Sequence, residues 1–150
     1  MKLLSGFISV SILLAGFSAF AEPTVPEAIE KIVKFIKHED ANGRSLLHIK
    51  RSYESNDCEM ESNVFTKDRS SLEGYLMSVV NNADKAATFI LDNKSEITEL
   101  SENGGRSLKI VAKHSVLKKS FSLTLENYGF LALEIDDGHR SIRCTNLKFK

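Results

Sequence analysis

Two cysteines, four histidines and a few close carboxylates are the residues of this chain that could do chemistry, and their spacing decides which kind. In an oxidising compartment Cys58 and Cys144 are expected to pair as a disulfide, closing a loop of about 87 residues. A nucleophilic thiol needs an activating base and a recognisable setting, and neither cysteine is framed by one. The histidines are His38, His48, His114 and His139, and none falls in an HExxH or HxH pattern. His38-Glu39-Asp40 resembles a metal triad on paper, but neighbouring helical residues point to different sides, so the three do not converge on one ion. His139 follows Asp136-Asp137-Gly138 and belongs to a hairpin turn. His114 continues the inward parity of a strand and is expected at a sheet edge or in a loop, and His48 is expected to face solvent.

Paired carboxylates give no stronger signal. Glu59 and Glu61 stand about 7 Å apart on one face of a strand, the usual arrangement of a solvated face. There is no GxSxG, no P-loop and no GxGxxG, and Gly104-Gly105 is a lone turn pair. The sequence therefore assigns no catalytic residue, no metal ligand and no cofactor.

Charge is more informative. The whole chain is formally neutral, with 20 basic and 20 acidic residues. Residues 22–105 balance to −6 and residues 106–150 to +5. Arg106, Lys109, Lys113, Lys118, Lys119, Arg140, Arg143, Lys148 and Lys150 could form a basic zone on the C-terminal sheet, attracting an acidic protein, a polyanion or anionic headgroups. The competing reading is internal neutralisation by the acidic part. Nucleic acid is disfavoured, because Trp is absent and no aromatics interleave the basic residues as a stacking platform requires.

The first 21 residues read as a secretory signal peptide. Lys2 precedes an apolar stretch from Leu3 to Leu14, and Ala19-Phe20-Ala21 supplies small residues for cleavage. The stretch is shorter than the 18 or so clean apolar residues a bilayer span takes. The expectation is one domain over residues 22–150, exported to the periplasm or the medium, with a bacterial look to its leader.

The elements that must position these groups follow from periodicity. Pro26 suits the first turn of a helix, and Ala28, Ile29, Ile32, Val33, Phe35 and Ile36 recur at helical spacing up to about Asp40. Alternating runs over 47–53 and 58–64, joined by Ser55-Asn56-Asp57, predict a hairpin. A second helix is expected from Ser70, with Ser70 and Glu73 as a capping box and Leu72, Tyr75, Leu76, Val79, Val80 and Ala83 as its stripe. Residues 88–91 fit its last turn or a strand. From Ser107 onward the alternation is regular, with turns at Asn103-Gly104-Gly105, Asn127-Tyr128-Gly129 and Asp137-Gly138, the last expected as type I′, and a bulge at Thr145-Asn146. The fold expected is α+β, two amphipathic helices on one face of a mostly antiparallel meander, in the order α-β-β-α-β(n).

With no catalytic signature, the first functional expectation is a small soluble binding module. It would be of inhibitor or immunity type and would contact another protein through Lys109, Lys113, Phe130 and Arg143 on the C-terminal sheet. The alternatives are a carrier enclosing an apolar ligand among Leu108, Ile110, Phe121, Leu123, Leu131 and Leu133, and a small periplasmic hydrolase.

Overall fold

The computed structural model describes residues 21–36, 51–66 and 72–150. The expected leader, His38, His48, the strand positions before Arg51 and the cap at Ser70 lie outside the described residues. One helix, α1 (Val25–Phe35), is followed by nine strands: β1 (Arg51–Glu54), β2 (Cys58–Thr66), β3 (Leu72–Asn81), β4 (Ala86–Leu91), β5 (Ser95–Asn103), β6 (Ser107–His114), β7 (Lys119–Asn127), β8 (Leu131–Asp136) and β9 (Ser141–Phe149). They form one antiparallel meander in the order β4-β3-β2-β1-β9-β8-β7-β6-β5. Each strand pairs with its sequence neighbours except at one break between β4 and β5, and the pairing of β1 with β9 nearly closes the sheet into a barrel.

This corrects the expected second helix. Residues 72–91 are a hairpin, with Tyr75, Met77 and Val79 buried on the inner face. The outer face is also partly apolar, since Leu76 stands opposite Ile90 and Val80 opposite Ala86. Apolar residues on both parities imitate a helical stripe, but the aromatic and β-branched content favours a strand. The Asn81 side chain accepts hydrogen bonds from the Ala83 and Lys85 amides, and Asp84 adopts φ 54°, so the run after β3 is a turn. A sheet that folds onto itself covers its own inner face and needs one helix, not two.

Helix α1 forms where the periodicity put it and is shorter than expected, ending at Phe35. Thr24 caps it by accepting from the Glu27 amide. Its buried residues Ala28, Ile29, Ile32 and Val33 join the core, where it touches β3 on one side of the break and β5 and β6 on the other.

Two turns behave differently from one another. Gly104 and Gly105 both have positive φ, 51° and 75°, as the central residues of a type I′ turn require. At Asp137-Gly138 only the glycine does, so that turn is not type I′. The bulge at Thr145-Asn146 is present: the two residues oppose Ala132 alone, and Asn146 takes φ 56°.

Cys58 and Cys144 form a disulfide, 2% and 1% exposed, between β2 and β9 on the core side. It spans the short β1, which meets β9 through only two residue pairs, Tyr53 with Phe149 and Glu54 with Lys148. The covalent link therefore reinforces the narrowest junction in the meander.

Candidate functional site

Strand register separates the four residues proposed for partner binding. Lys109 on β6 lies opposite Thr124, which lies opposite Glu134, which lies opposite Arg143. Lys109 and Arg143 thus share one row across the outer face of four strands. Both are already paired: Lys109 Nζ is 3.0 Å from Glu99, and Arg143 is 2.6 Å from Glu126 and 3.5 Å from Glu134. Lys31 pairs with Glu102 at 2.9 Å and Lys150 with Glu54 at 3.0 Å, so Lys109 and Lys150 are neutralised by the acidic part, while Arg143 is neutralised by Glu126 and Glu134 of its own part. Such exposed pairs contribute little to stability, about 0 to 1 kcal/mol each.

Lys113 and Phe130 sit at opposite ends of this sheet. Lys113 pairs with Ser120 on β7, and at about 3.3 Å per residue that level lies some 23 Å from Asn127, where the turn to Phe130 begins. The site expected as one patch is therefore two regions at opposite ends, joined by a row of ion pairs.

The region around Phe130 is an aromatic cleft. Phe130 from the β7–β8 turn, Leu131 from β8, Leu147 and Phe149 from β9, Tyr53 from β1, and Phe35 of α1 with its C-cap Ile36 line a cavity of about 610 Å³. Tyr53 donates its hydroxyl to the Ile36 carbonyl at 3.3 Å and meets the Phe149 ring edge-on at 5.7 Å, which fixes the floor. Phe130 is 44% exposed and Phe149 59%, with exposed Tyr128 beside them in the turn. The sequence singled out Phe130 but not Tyr128 or Phe149.

At the opposite end, His114 closes β6. It is buried, and Nε2 lies 3.1 Å from Asp92 Oδ2 while Nδ1 accepts the Leu117 amide at 3.2 Å. A backbone N–H can only donate, so the ring proton sits on Nε2 and points at the carboxylate. Burial pushes the Asp92 carboxyl up, but the Lys94 amide and His114 pull it further down, and it ends below the ordinary carboxylate value. Both ring nitrogens are occupied, so His114 offers no free nitrogen to activate a hydroxyl or hold a metal. Sequence parity placed His114 inward and missed this pairing, because Asp92 comes from another hairpin.

Other reactive groups are equally engaged. Buried Tyr75 and Ser62 share a hydrogen bond of 2.9 Å, and burial pushes the Tyr75 hydroxyl well above its ordinary value. His139 is exposed, and its amide donates to Asp137 within the β8–β9 turn. Among the described residues no group of three potential ligands could hold a metal ion. Leu108, Ile110, Phe121, Leu123 and Leu133 pack with α1 into one core, and Leu131 packs against its rim. Among the described residues no helix is long and apolar enough to cross a membrane.

No protein family, no curated protein and no solved structure matches this chain. Its own geometry is what the functional reading rests on.

Proposed function

We propose that this chain is a small exported module that binds another protein, with the aromatic cleft around Phe130 as its contact. The observation carrying this reading is the exposure of Phe130 and Phe149 on the walls of one cleft, with a further exposed aromatic, Tyr128, two residues before Phe130 in the same turn. Rigid aromatics clustered in a surface depression are the residue types that dominate protein interfaces. Polar side chains at the margin, Asn127, Asn146 and Lys148, suit a polar rim. Export is supported by the leader pattern of residues 1–21 and fits the buried disulfide. Lys109 and Arg143 serve this module as internally paired surface, and the contact is centred on Phe130.

An apolar small ligand in the same cleft is the second reading. The cavity volume favours it, since 610 Å³ falls within the range of about 300 to 1,000 Å³ typical of ligand sites.

Native mass spectrometry of the protein purified from its exporting host tests both. The parent is expected to retain a protein adduct, and Lys109→Glu is expected to retain it equally. Phe130→Ala combined with Tyr128→Ala should weaken it by at least about 2 kcal/mol, the scale of interface anchors. An adduct of undiminished strength in the double variant would place the contact elsewhere. A small-molecule adduct lost in the same variant would favour the second reading.

A further inference from the structure

The β6–β7 hairpin, at the end of the molecule opposite the aromatic cleft, carries a feature that folding does not require. Its loop, Ser115-Val116-Leu117-Lys118, exposes Val116 to 66% and Leu117 to 46%. Lys118 is held at φ 50°, a conformation that disfavours a lysine. Polar residues and a glycine would make this turn at lower cost. The loop is also held in place, because the Leu117 amide bonds buried His114, which is tied to Asp92. A fixed turn therefore presents two aliphatic side chains to solvent.

The base of the loop is basic. A cleft of about 450 Å³ lies there, lined by Lys94, Lys113, Lys118 and Lys119, the hydroxyl-bearing Ser115 and Ser120, His114 and a single carboxylate, Glu96. Among the described residues none of these four lysines is in an ion pair, in contrast to Lys109 and Arg143. The acidic groups nearby are Glu96, opposite Lys113; Asp92, engaged by His114; and Asp137, which accepts the amides of His139 and Arg140.

We propose that this hairpin docks on an anionic phospholipid bilayer, with Val116 and Leu117 entering the interface and the lysine cleft receiving headgroup phosphates. Short aliphatic insertion combined with several lysines is the two-part signal that gives stable peripheral attachment. Lysine stems lie along apolar surface while their ammonium groups reach the phosphate level. The tip is aliphatic and offers no stacking platform, which favours lipid over a polynucleotide. Charge complementarity selects the occupant: an anionic surface matches the uncompensated lysines.

The chain contains no Trp, so Leu117→Trp creates a single fluorescent reporter at the tip, and Val80→Trp creates a control on the outer face of β3. Vesicles of mixed phosphatidylglycerol and phosphatidylcholine should shift the Leu117→Trp emission to the blue and leave Val80→Trp unchanged. Pure phosphatidylcholine should shift neither. Lys118→Gln with Lys119→Gln should lower partitioning about thirtyfold, from the usual contribution per lysine at an anionic surface. The proposal is overturned by an unshifted tip reporter on anionic vesicles. It is overturned equally if both reporters shift alike, since a tether elsewhere in the chain would then be responsible. A blue shift produced by soluble heparin as readily as by vesicles would point to a polyanion and overturn it as well.

Discussion

At the scale of single residues, two side chains act as clamps between distant segments. His114 joins the β4–β5 corner to the β6–β7 loop. Its replacement by Ala leaves the Leu117 amide without its acceptor and takes one partner from the Asp92 carboxylate, which keeps the Lys94 amide and the Ser95 hydroxyl. His114→Ala should cost about 1 to 3 kcal/mol in denaturant unfolding, with accelerated amide exchange at Leu117. Asp137 orders the β8–β9 turn by accepting the amides of His139 and Arg140, and the Thr88 amide of β4 adds to the pull on its carboxyl. Burial raises its carboxyl, but those amides and the charge of Lys119 outweigh burial, so the folded value lies below the ordinary one. A depressed folded value means stability is present above about pH 4, the unfolded carboxylate value, and is lost as pH falls through the folded value. Asp92 adds to the same acid-side loss. Asp137→Asn should therefore be less stable than the parent at pH 7 and lose less stability between pH 7 and acid, a difference that thermal melts across pH can read.

At the scale of elements, α1 is the one helix among the described residues that covers the break between β4 and β5, and its buried stripe makes it part of the core. Ile32 is fully buried, so Ile32→Ala should cost about 3 kcal/mol, the usual penalty for such a cavity, measured by chemical denaturation. The elements with one apolar and one polar face were legible in the sequence: α1, the β1–β2 hairpin, and β6 through β9 with their bulge. Hairpin β3–β4 was not, because Leu76, Val80 and Ile90 place apolar residues on its outer face too, and period 2 then resembles period 3.6. The site divided in the same way. Phe130 stood out by parity within a turn. The separation of Lys113 from Lys109 and Arg143 depends on register across four strands, which alternation does not encode. Val116 and Leu117 sit between lysines in a turn, where an apolar pair reads as a continued strand.

At the scale of the whole molecule, the disulfide and the β1–β9 pairing together hold the two halves of the meander. The bridge links positions 86 apart, for which chain entropy predicts roughly 4 to 5 kcal/mol of stabilisation. Cys58→Ala with Cys144→Ala should unfold at markedly lower denaturant, and amides of β1 should lose protection first. In the parent, a thiol reagent without reductant should label neither cysteine even after unfolding. The molecule that results is a rigid spacer with an aromatic cleft at one end and a lysine-rimmed aliphatic loop at the other. The central claim is that the cleft is the contact with a partner protein. Its most direct test is a photo-crosslinking benzoylphenylalanine placed at position 130 in the exporting host, with position 80 on the outer face of β3 as the control. A discrete protein adduct at position 130 and none at position 80 is the predicted result; no adduct at 130, or the same adducts at both positions, would contradict it.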